Sequence, residues 1–449
     1  MSRLSRTAGA VLLLVLPGAA GAQAGSPAGA VSVDRLEARR QALVARLKSG
    51  VAIVKGSEAL SNDPPDSDYP QATGFRQDND FFYLTGLETL GSWLIVTAAD
   101  SAHGEAHLFL PPRNPARERW TGATLGPGAD AAAATGIPLA NIHSADSVQL
   151  FLRRSLGQAG RGGTTLWVRH TERDTRPDFI RAAILQGRNV VSQDLLPVLA
   201  ALRVVKDQEE IRRLTRAVEL SAEGHVAAMQ FAKPGVYEYE IEAVAEQVFR
   251  KLGAERLGYP SIVGSGINST VLHYDQNRRK AQAGDLIVMD MGAEFGYYSA
   301  DITRTIPASG KFTERQRAIY ELVLGAQQAA LDAIRPGLTL RDLDAVARKY
   351  LADHSGDLCG AGGCTRYFIH GLSHWIGMDV HDVGGGVPLA PGMAFTVEPG
   401  IYLPEEALGV RIEDDVLVTS TGYLLLSKGA PRSVADIERL MAMAKPPRP

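Results

Sequence analysis

Cysteine, net charge and long apolar runs are all scarce in this chain, and each scarcity narrows what it can do. Only two cysteines occur, Cys359 and Cys364, close together in DLCGAGGCTRY. They are too few for a cysteine-type zinc site and leave two readings: a small disulfide, made feasible by Gly360, Gly362 and Gly363, or two free thiols. A formal net charge of −3 supplies no basic footprint for nucleic acid or an anionic membrane, so a small molecule or a peptide is the expected partner. The apolar run Ala8 to Leu16 is far too short to span a bilayer, and no other segment reads as transmembrane. Preceded by Arg3 and Arg6 and followed by Pro17, Gly18 and AAGAQA, that run has the parts of an export signal over residues 1–24. Cleavage is expected near Ala22 or Ala24, with a secreted or periplasmic destination. A disordered Ala-rich leader is the plainer alternative.

Hydrophobic residues at 45% and charged residues at 22% fit a soluble globular protein, and 449 residues exceed one typical core, so two domains are expected. The first, over 34–200, mixes the amphipathic helix DRLEARRQALVARL with the buried strands VAIV, SWLIVT and TTLWV and carries no evident catalytic set. Between Ala59 and Asp80 the Ser, Asp, Pro and Asn content reads as an exposed loop. The second domain, over 206–445, contains a repeat. A helix stopped at Lys233-Pro234-Gly235 is followed by a second helix, a histidine loop and an acidic hairpin. About a hundred residues later the plan recurs, with a Thr313/Gln316 capping box and a stop at Arg335-Pro336-Gly337. Two α/β halves facing a shared centre is the arrangement this suggests; coincidental Pro-Gly punctuation is the alternative.

What the chain does have is acid in unusual places. Asp290, Asp301, Glu398 and Glu413 lie in or beside the apolar runs LIVMDMG, SADITRT, AFTVEPG and GVRIEDDVLV. Buried charges need partners, so four carboxylates in core-like strands call for a common neutraliser. With EFGY as a tight turn, Asp290 and Asp301 are expected directly opposite each other, and Glu398 and Glu413 repeat the pairing around YLPEEALG; like charges so placed imply a cation between them. Four unrelated strand-edge acids are the bland reading. With His374 as fifth member the donors form a mostly hard set, suited to two divalent ions such as manganese, cobalt or zinc that activate a water for hydrolysis, most naturally of an amide. His370, His374 and His381 cluster in IHGLSHWIGMDVHD, where Gly371, Ser373 and Gly377 argue for a turn that directs imidazoles into a cleft. His273 holds the matching position of the first half. Arg411 shares a strand face with Glu413 and could hold a ligand carboxylate, and Tyr402, after Glu398, could relay protons.

VMDMGAEFGYYSADITRT, IHGLSHWIGMDVHD, FTVEPGIY and GVRIEDDVLVT together resemble the pita-bread metallopeptidases of family M24, within them the aminopeptidase P and prolidase branch. YPQATGFRQDNDFFYLTG and ERWTG are similar, more weakly, to the creatinase-type amino-terminal domain of aminopeptidase P. The resemblance implies an α/β (α+β) chain: a pseudo-twofold pita-bread domain preceded by a smaller α/β domain. It implies Asp290 on one metal, Asp301 and Glu413 bridging two, His374 on the first, and Glu398 as ligand and proton acceptor. His273, His370 and His381 are then expected to line the substrate site, manganese to be the usual metal, and substrates to be peptides with proline at the second position. HGLSHW and NDFFYLTG lean to an Xaa-Pro aminopeptidase over an Xaa-Pro dipeptidase. The intact ligand positions count against a metal-free amidinohydrolase or a non-catalytic peptide-binding module. Relatives are often dimers or tetramers whose amino-terminal domain reaches a neighbour's site, with Asp80 or Phe82 as the guess for such a contact.

Overall fold

The computed structural model describes residues 28–58, 75–157, 163–170, 178–186 and 189–443. The expected leader over 1–24, and all of the Ala59–Asp80 stretch before residue 75, lie outside them.

The amino-terminal part is built on six strands: β1 (Gly50–Lys55), β2 (Trp93–Ala98), β3 (Gly104–Leu110), β4 (Ile142–Ser144), β5 (Thr164–Val168) and β6 (Val190–Asp194), in the order β4-β3-β2-β1-β5-β6. The pairings β1–β2 and β2–β3 are antiparallel and the other three parallel. Around this sheet lie α1 (Val33–Leu47), α2 (Asn79–Thr85), α3 (Pro115–Thr121), α4 (Ala129–Thr135), α5 (Val148–Gly157), α6 (Asp178–Gln186) and α7 (Leu196–Arg203). The α1 sequence buries Leu36, Leu43, Val44 and Leu47, one stripe at helical spacing.

The carboxy-terminal part opens with α8 (Gln208–Phe231) and α9 (Glu238–Lys251), and the pair recurs as α10 (Glu314–Ala333) and α11 (Leu340–His354). The Thr313/Gln316 capping box forms at α10, and Thr339 with Asp342 makes another at α11. After the first pair come β7 (Arg256–Leu257), β8 (Ile262–Ser265), β9 (Leu286–Asp290), β10 (Ala293–Phe295), β11 (Tyr298–Ser299) and β12 (Thr303–Pro307). After the second come β13 (Ala394–Val397), β14 (Gly400–Leu403), β15 (Leu408–Arg411), β16 (Asp414–Val418), β17 (Tyr423–Leu425) and a closing helix, α12 (Val434–Ala442).

Both acidic hairpins form, in different registers. In the first, Phe295 pairs with Tyr298 and Asp290 with Thr303. The turn is centred on Gly296 and Tyr297, both at positive φ, as a two-residue hairpin turn requires. It lies one residue later than the EFGY reading placed it. Asp301 therefore sits diagonally from Asp290, two residues before Thr303, and not directly opposite. In the second hairpin Val397 pairs with Asp414 and Gly400 with Arg411, so the register on both sides brings Glu398 opposite Glu413. Fully buried Arg304 on β12 ties the hairpins together by donating to the Glu413 carbonyl and, at 2.6 Å, to Asp414.

The stretch read as an exposed loop ends in buried structure. Asp78 caps α2, and Asp80 is fully buried. Phe82 stacks on Tyr297 with ring centroids 3.7 Å apart. Neither Asp80 nor Phe82 offers a surface to a neighbouring subunit; each ties the two parts of its own chain together. Asp80 accepts from Arg203 at 2.7 Å, and the same guanidinium reaches Asp382 at 2.5 Å and Asp379 at 3.2 Å. Lys206 lies 3.3 Å from Asp382. Cys359 and Cys364 are joined in a disulfide.

Burial alone would raise the Asp382 pKa, but Arg203 and Lys206 outweigh it and hold the carboxyl below the usual range. Its stabilisation is complete above the unfolded carboxylate pKa and is lost as pH falls through the folded one. Arg203→Met leaves Asp80 and Asp382 short of their partner and should cost about 3 kcal/mol in urea denaturation at neutral pH. The gap from wild type should narrow below about pH 4. A variant as stable as wild type at neutral pH would contradict this role for Arg203.

Candidate metal centre

The two hairpins deliver their acids to one place because each β ladder is interrupted there. Glu398 falls between β13 and β14, Glu413 between β15 and β16, and Asp301 just before β12. Asp301, His374 and Glu413 each present a ligand atom, and those atoms all lie within 4.8 Å of one another. His374 Nε2 is 3.3 Å from Asp301 Oδ2, 3.4 Å from Glu398 Oε1 and 3.9 Å from Glu413 Oε1. Its Nδ1 lies 3.1 Å from the Trp375 carbonyl; the proton belongs on that nitrogen, and Nε2 keeps its lone pair for a metal. Asp290 joins through Tyr259, whose hydroxyl is 2.6 Å from Asp290 Oδ1 and 2.7 Å from Asp301 Oδ1. One hydroxyl proton cannot satisfy both carboxylates. All five expected ligands thus meet in one site.

Neighbouring groups fix each acid. Arg411 donates to Asp290 at 2.7 Å, the hold on a ligand carboxylate expected of it. Thr303 donates to Glu413 Oε2 at 2.6 Å, and Thr396 to Glu398 Oε1 at 3.3 Å. Asp415 accepts the Asp301 backbone N–H at 2.9 Å through one oxygen, while its other oxygen is buried without a partner. Sequence reasoning missed Tyr259, Thr303, Thr396 and Asp415. Only Asp415 carried a signal, as the last acid of the Glu-Asp-Asp run.

The electrostatics test whether cations belong here. Burial, then repulsion from Asp290 and Glu398, pushes Asp301 well above the ordinary carboxylate range. Glu398 is raised by burial and by Glu413, and Glu413 by burial, Asp301 and Asp290. Asp415 follows, through burial and Asp301. Five carboxylates (Asp290, Asp301, Glu398, Glu413 and Asp415) face one guanidinium, Arg411, an excess of four negative charges that two divalent ions would balance. The oxygen-rich set with one imidazole suits hard or borderline cations, so the residues fit the group.

The remaining histidines surround this cluster. The His381 ring centroid is 4.1 Å from that of His374, and its pKa is depressed by burial, then by His374 and His273. Through that effect His273, itself exposed, belongs to the same neighbourhood. No helix forms around His370 and His374, in keeping with the glycines. His370 is held neutral by burial, its pKa lowered to about 4. Both its nitrogens are engaged, Nδ1 with the Gly371 carbonyl and Nε2 with the Tyr402 hydroxyl, each at 2.8 Å. Arg411 donates to that hydroxyl at 3.1 Å, so Tyr402 donates onward to His370. Burial pushes the Tyr402 pKa up to about 12, despite Arg411.

Removing the cations should therefore unbalance the fold as well as the site. At 100-fold excess over Kd, a bound ion stabilises by about 2.7 kcal/mol. Chelation should lower the melting temperature of the wild type and restored metal should recover it. Asp301→Ala and Glu413→Ala should remain folded, lose turnover and melt at a temperature that no longer responds to chelator. An unchanged chelator response in both would remove them from the ligand set.

Comparison with known proteins agrees with this geometry. Residues 212–420 match the model of metallopeptidase family M24, and residues 36–161 match the aminopeptidase P N-terminal domain. The chain is 36% identical to a Xaa-Pro aminopeptidase of Haemophilus influenzae, over 91% of this chain and 97% of that protein. It is 33% identical to the Xaa-Pro aminopeptidase of Escherichia coli, covering 92% and 99%. Zinc-substituted E. coli aminopeptidase P in complex with product superposes with a TM-score of 0.84 at 32% identity, over 93% of this chain and all of that one. Proline aminopeptidase P II from Yersinia pestis superposes at 0.83, with 34% identity and 92% and 100% coverage. By its acidic centre, its fold and these relatives, the chain belongs to metallopeptidase family M24, in the aminopeptidase P branch.

Proposed function

We propose that this chain is an Xaa-Pro aminopeptidase that removes the first residue of peptides with proline at the second position. The observation that carries the reading is the convergence of Asp290, Asp301, His374, Glu398 and Glu413 on one buried centre, in a chain similar over nearly its whole length to Xaa-Pro aminopeptidases. Two divalent ions, manganese by our reading with cobalt and zinc also suited to the donors, would be held by those five residues, Asp301 and Glu413 serving both. When bound, they supply a water that is deprotonated at neutral pH and a Lewis acid for the scissile carbonyl.

The chain's own groups supply the rest. Glu398, 3.4 Å from His374 Nε2 and 3.8 Å from His370 Nδ1, takes the proton of the attacking water and returns it to the leaving proline nitrogen. His381 stands beside His374, and His273 bears electrostatically on His381; an N–H from either can steady negative charge growing on the carbonyl oxygen. Arg411, Tyr402 and His370 form a chain of hydrogen bonds along one wall that fixes His370 in a single tautomer and orientation. The reading extends to two domains, over 34–200 and 206–445, and to export after removal of residues 1–24. A disulfide between Cys359 and Cys364 suits an oxidising compartment. A homo-oligomer, dimer or tetramer, completes it.

Glu398→Gln should lower kcat about 1,000-fold, with little change in KM, because it keeps the side chain's shape and loses its proton-accepting role. A peptide series decides the substrate class. The aminopeptidase cleaves Xaa-Pro tripeptides and longer peptides at least as well as the Xaa-Pro dipeptide; strict preference for the dipeptide would make the protein a dipeptidase.

A further inference from the structure

The two halves share more than helices and acids. In each, a charged side chain on the second helix holds the backbone of the loop that carries that half's histidine. In the first half this is Glu238, the opening residue of α9, which is completely buried. Its Oε1 accepts from the Ser265 N–H and hydroxyl, both at 2.7 Å, and from Asn268 at 3.1 Å. Its Oε2 accepts from the Tyr274 hydroxyl at 3.0 Å and the Arg279 N–H at 2.7 Å. Those four residues bracket His273 on both sides. One carboxylate thus closes the whole segment 265–279 into a fixed loop around the histidine.

In the second half the work falls to an ion pair on α11. Arg348 lies one turn after Asp344 and bonds to it at 2.8 Å. The guanidinium donates to the Phe368 carbonyl at 3.0 Å and to the His370 carbonyl at 2.7 Å, with its carbon 4.4 Å from the Phe368 ring centroid. The other Asp344 oxygen accepts the Leu372 N–H at 3.1 Å. Alternate residues of the segment 368–372 are therefore pinned from one side, and His370 turns its ring the other way, onto Tyr402. The Leu372 carbonyl in turn accepts the Glu398 N–H at 2.9 Å, which carries the restraint to the metal centre.

We propose that Glu238 and the Asp344–Arg348 pair are positioning residues, Glu238 acting through His273 and the pair through His370. Neither touches a metal-ligand side chain. Both lie beyond the residues named by the acidic motif and follow the same repeat that organises it. For its kinetic consequence the inference rests on the aminopeptidase reading; the pinning itself stands without it.

The experiment has two arms, run on the metal-loaded full chain. In the first, backbone amide exchange is followed in the two loops. Glu238→Gln should speed exchange across 265–279 and leave 368–372 unchanged, and Arg348→Met should do the reverse. Arg348 is 35% exposed, so this variant keeps its fold; Glu238→Gln keeps the shape of a buried side chain that Glu238→Ala would leave as a cavity. In the second arm, each pinning variant is combined with each histidine variant. Arg348→Met alone should lower kcat/KM by up to about 100-fold. Added to His370→Ala it should cost nothing further, whereas added to His273→Ala it should multiply. Glu238→Gln should show the opposite pattern, and Arg348→Lys should recover part of the loss. Multiplicative losses in the matched pairs, or unchanged exchange in both loops, would overturn the proposal. A wild type inactive on every Xaa-Pro peptide would overturn the aminopeptidase reading instead, and amide exchange would still decide the pinning.

Discussion

Mutual repulsion among buried carboxylates is the constraint on which the rest of this structure depends. Asp301, Glu398, Glu413 and Asp415 are each pushed towards protonation by burial and by neighbouring acids. No arrangement of strands removes that cost. Divalent cations turn the same crowding into a binding site, because the charges that repel one another all attract the ion. Asp301, Glu398 and Glu413 sit where the ladders are interrupted, while Asp290 keeps its paired place at the end of β9. Thr303 holds Glu413, Thr396 holds Glu398, and Arg411 holds Asp290.

Away from the centre, charge is neutralised by protein. Arg304 and Asp414 are both completely buried and paired with each other, which spends the middle acid of Glu-Asp-Asp on joining the hairpins. Arg203 does the same between the two parts of the chain, linking Asp80 in the first turn of α2 to Asp379 and Asp382 in the loop that carries His381. The amino-terminal part therefore bears directly on the catalytic loops. Cores of apolar residues would supply comparable stability; what buried ion pairs add is a single geometry, since any other leaves a charge unpaired.

Much of this was legible in the sequence. One capping box and the Pro-Gly stops located the paired helices, and acids inside apolar strands located the centre, because both signals are local and chemically costly to produce by chance. The Glu398–Glu413 register followed from a symmetric loop. The Asp290–Asp301 register did not, because positive φ at both Gly296 and Tyr297 moves the turn by one residue, and nothing in EFGY requires a tyrosine there. Tyr259 and Arg304 were invisible because their partners lie far along the chain. Asp80 looked solvated because a polar segment reads as a loop unless its distant partner, Arg203, is known.

The central claim is that the excess of four negative charges is met by two ions at one site. Metal binding to the wild type, followed by equilibrium dialysis against manganese and by anomalous scattering from crystals, tests it most directly. The account predicts two ions per chain, about 3.5–4 Å apart, held by Asp290, Asp301, His374, Glu398 and Glu413. A chain that binds none, or that binds its ions away from these residues, would contradict it.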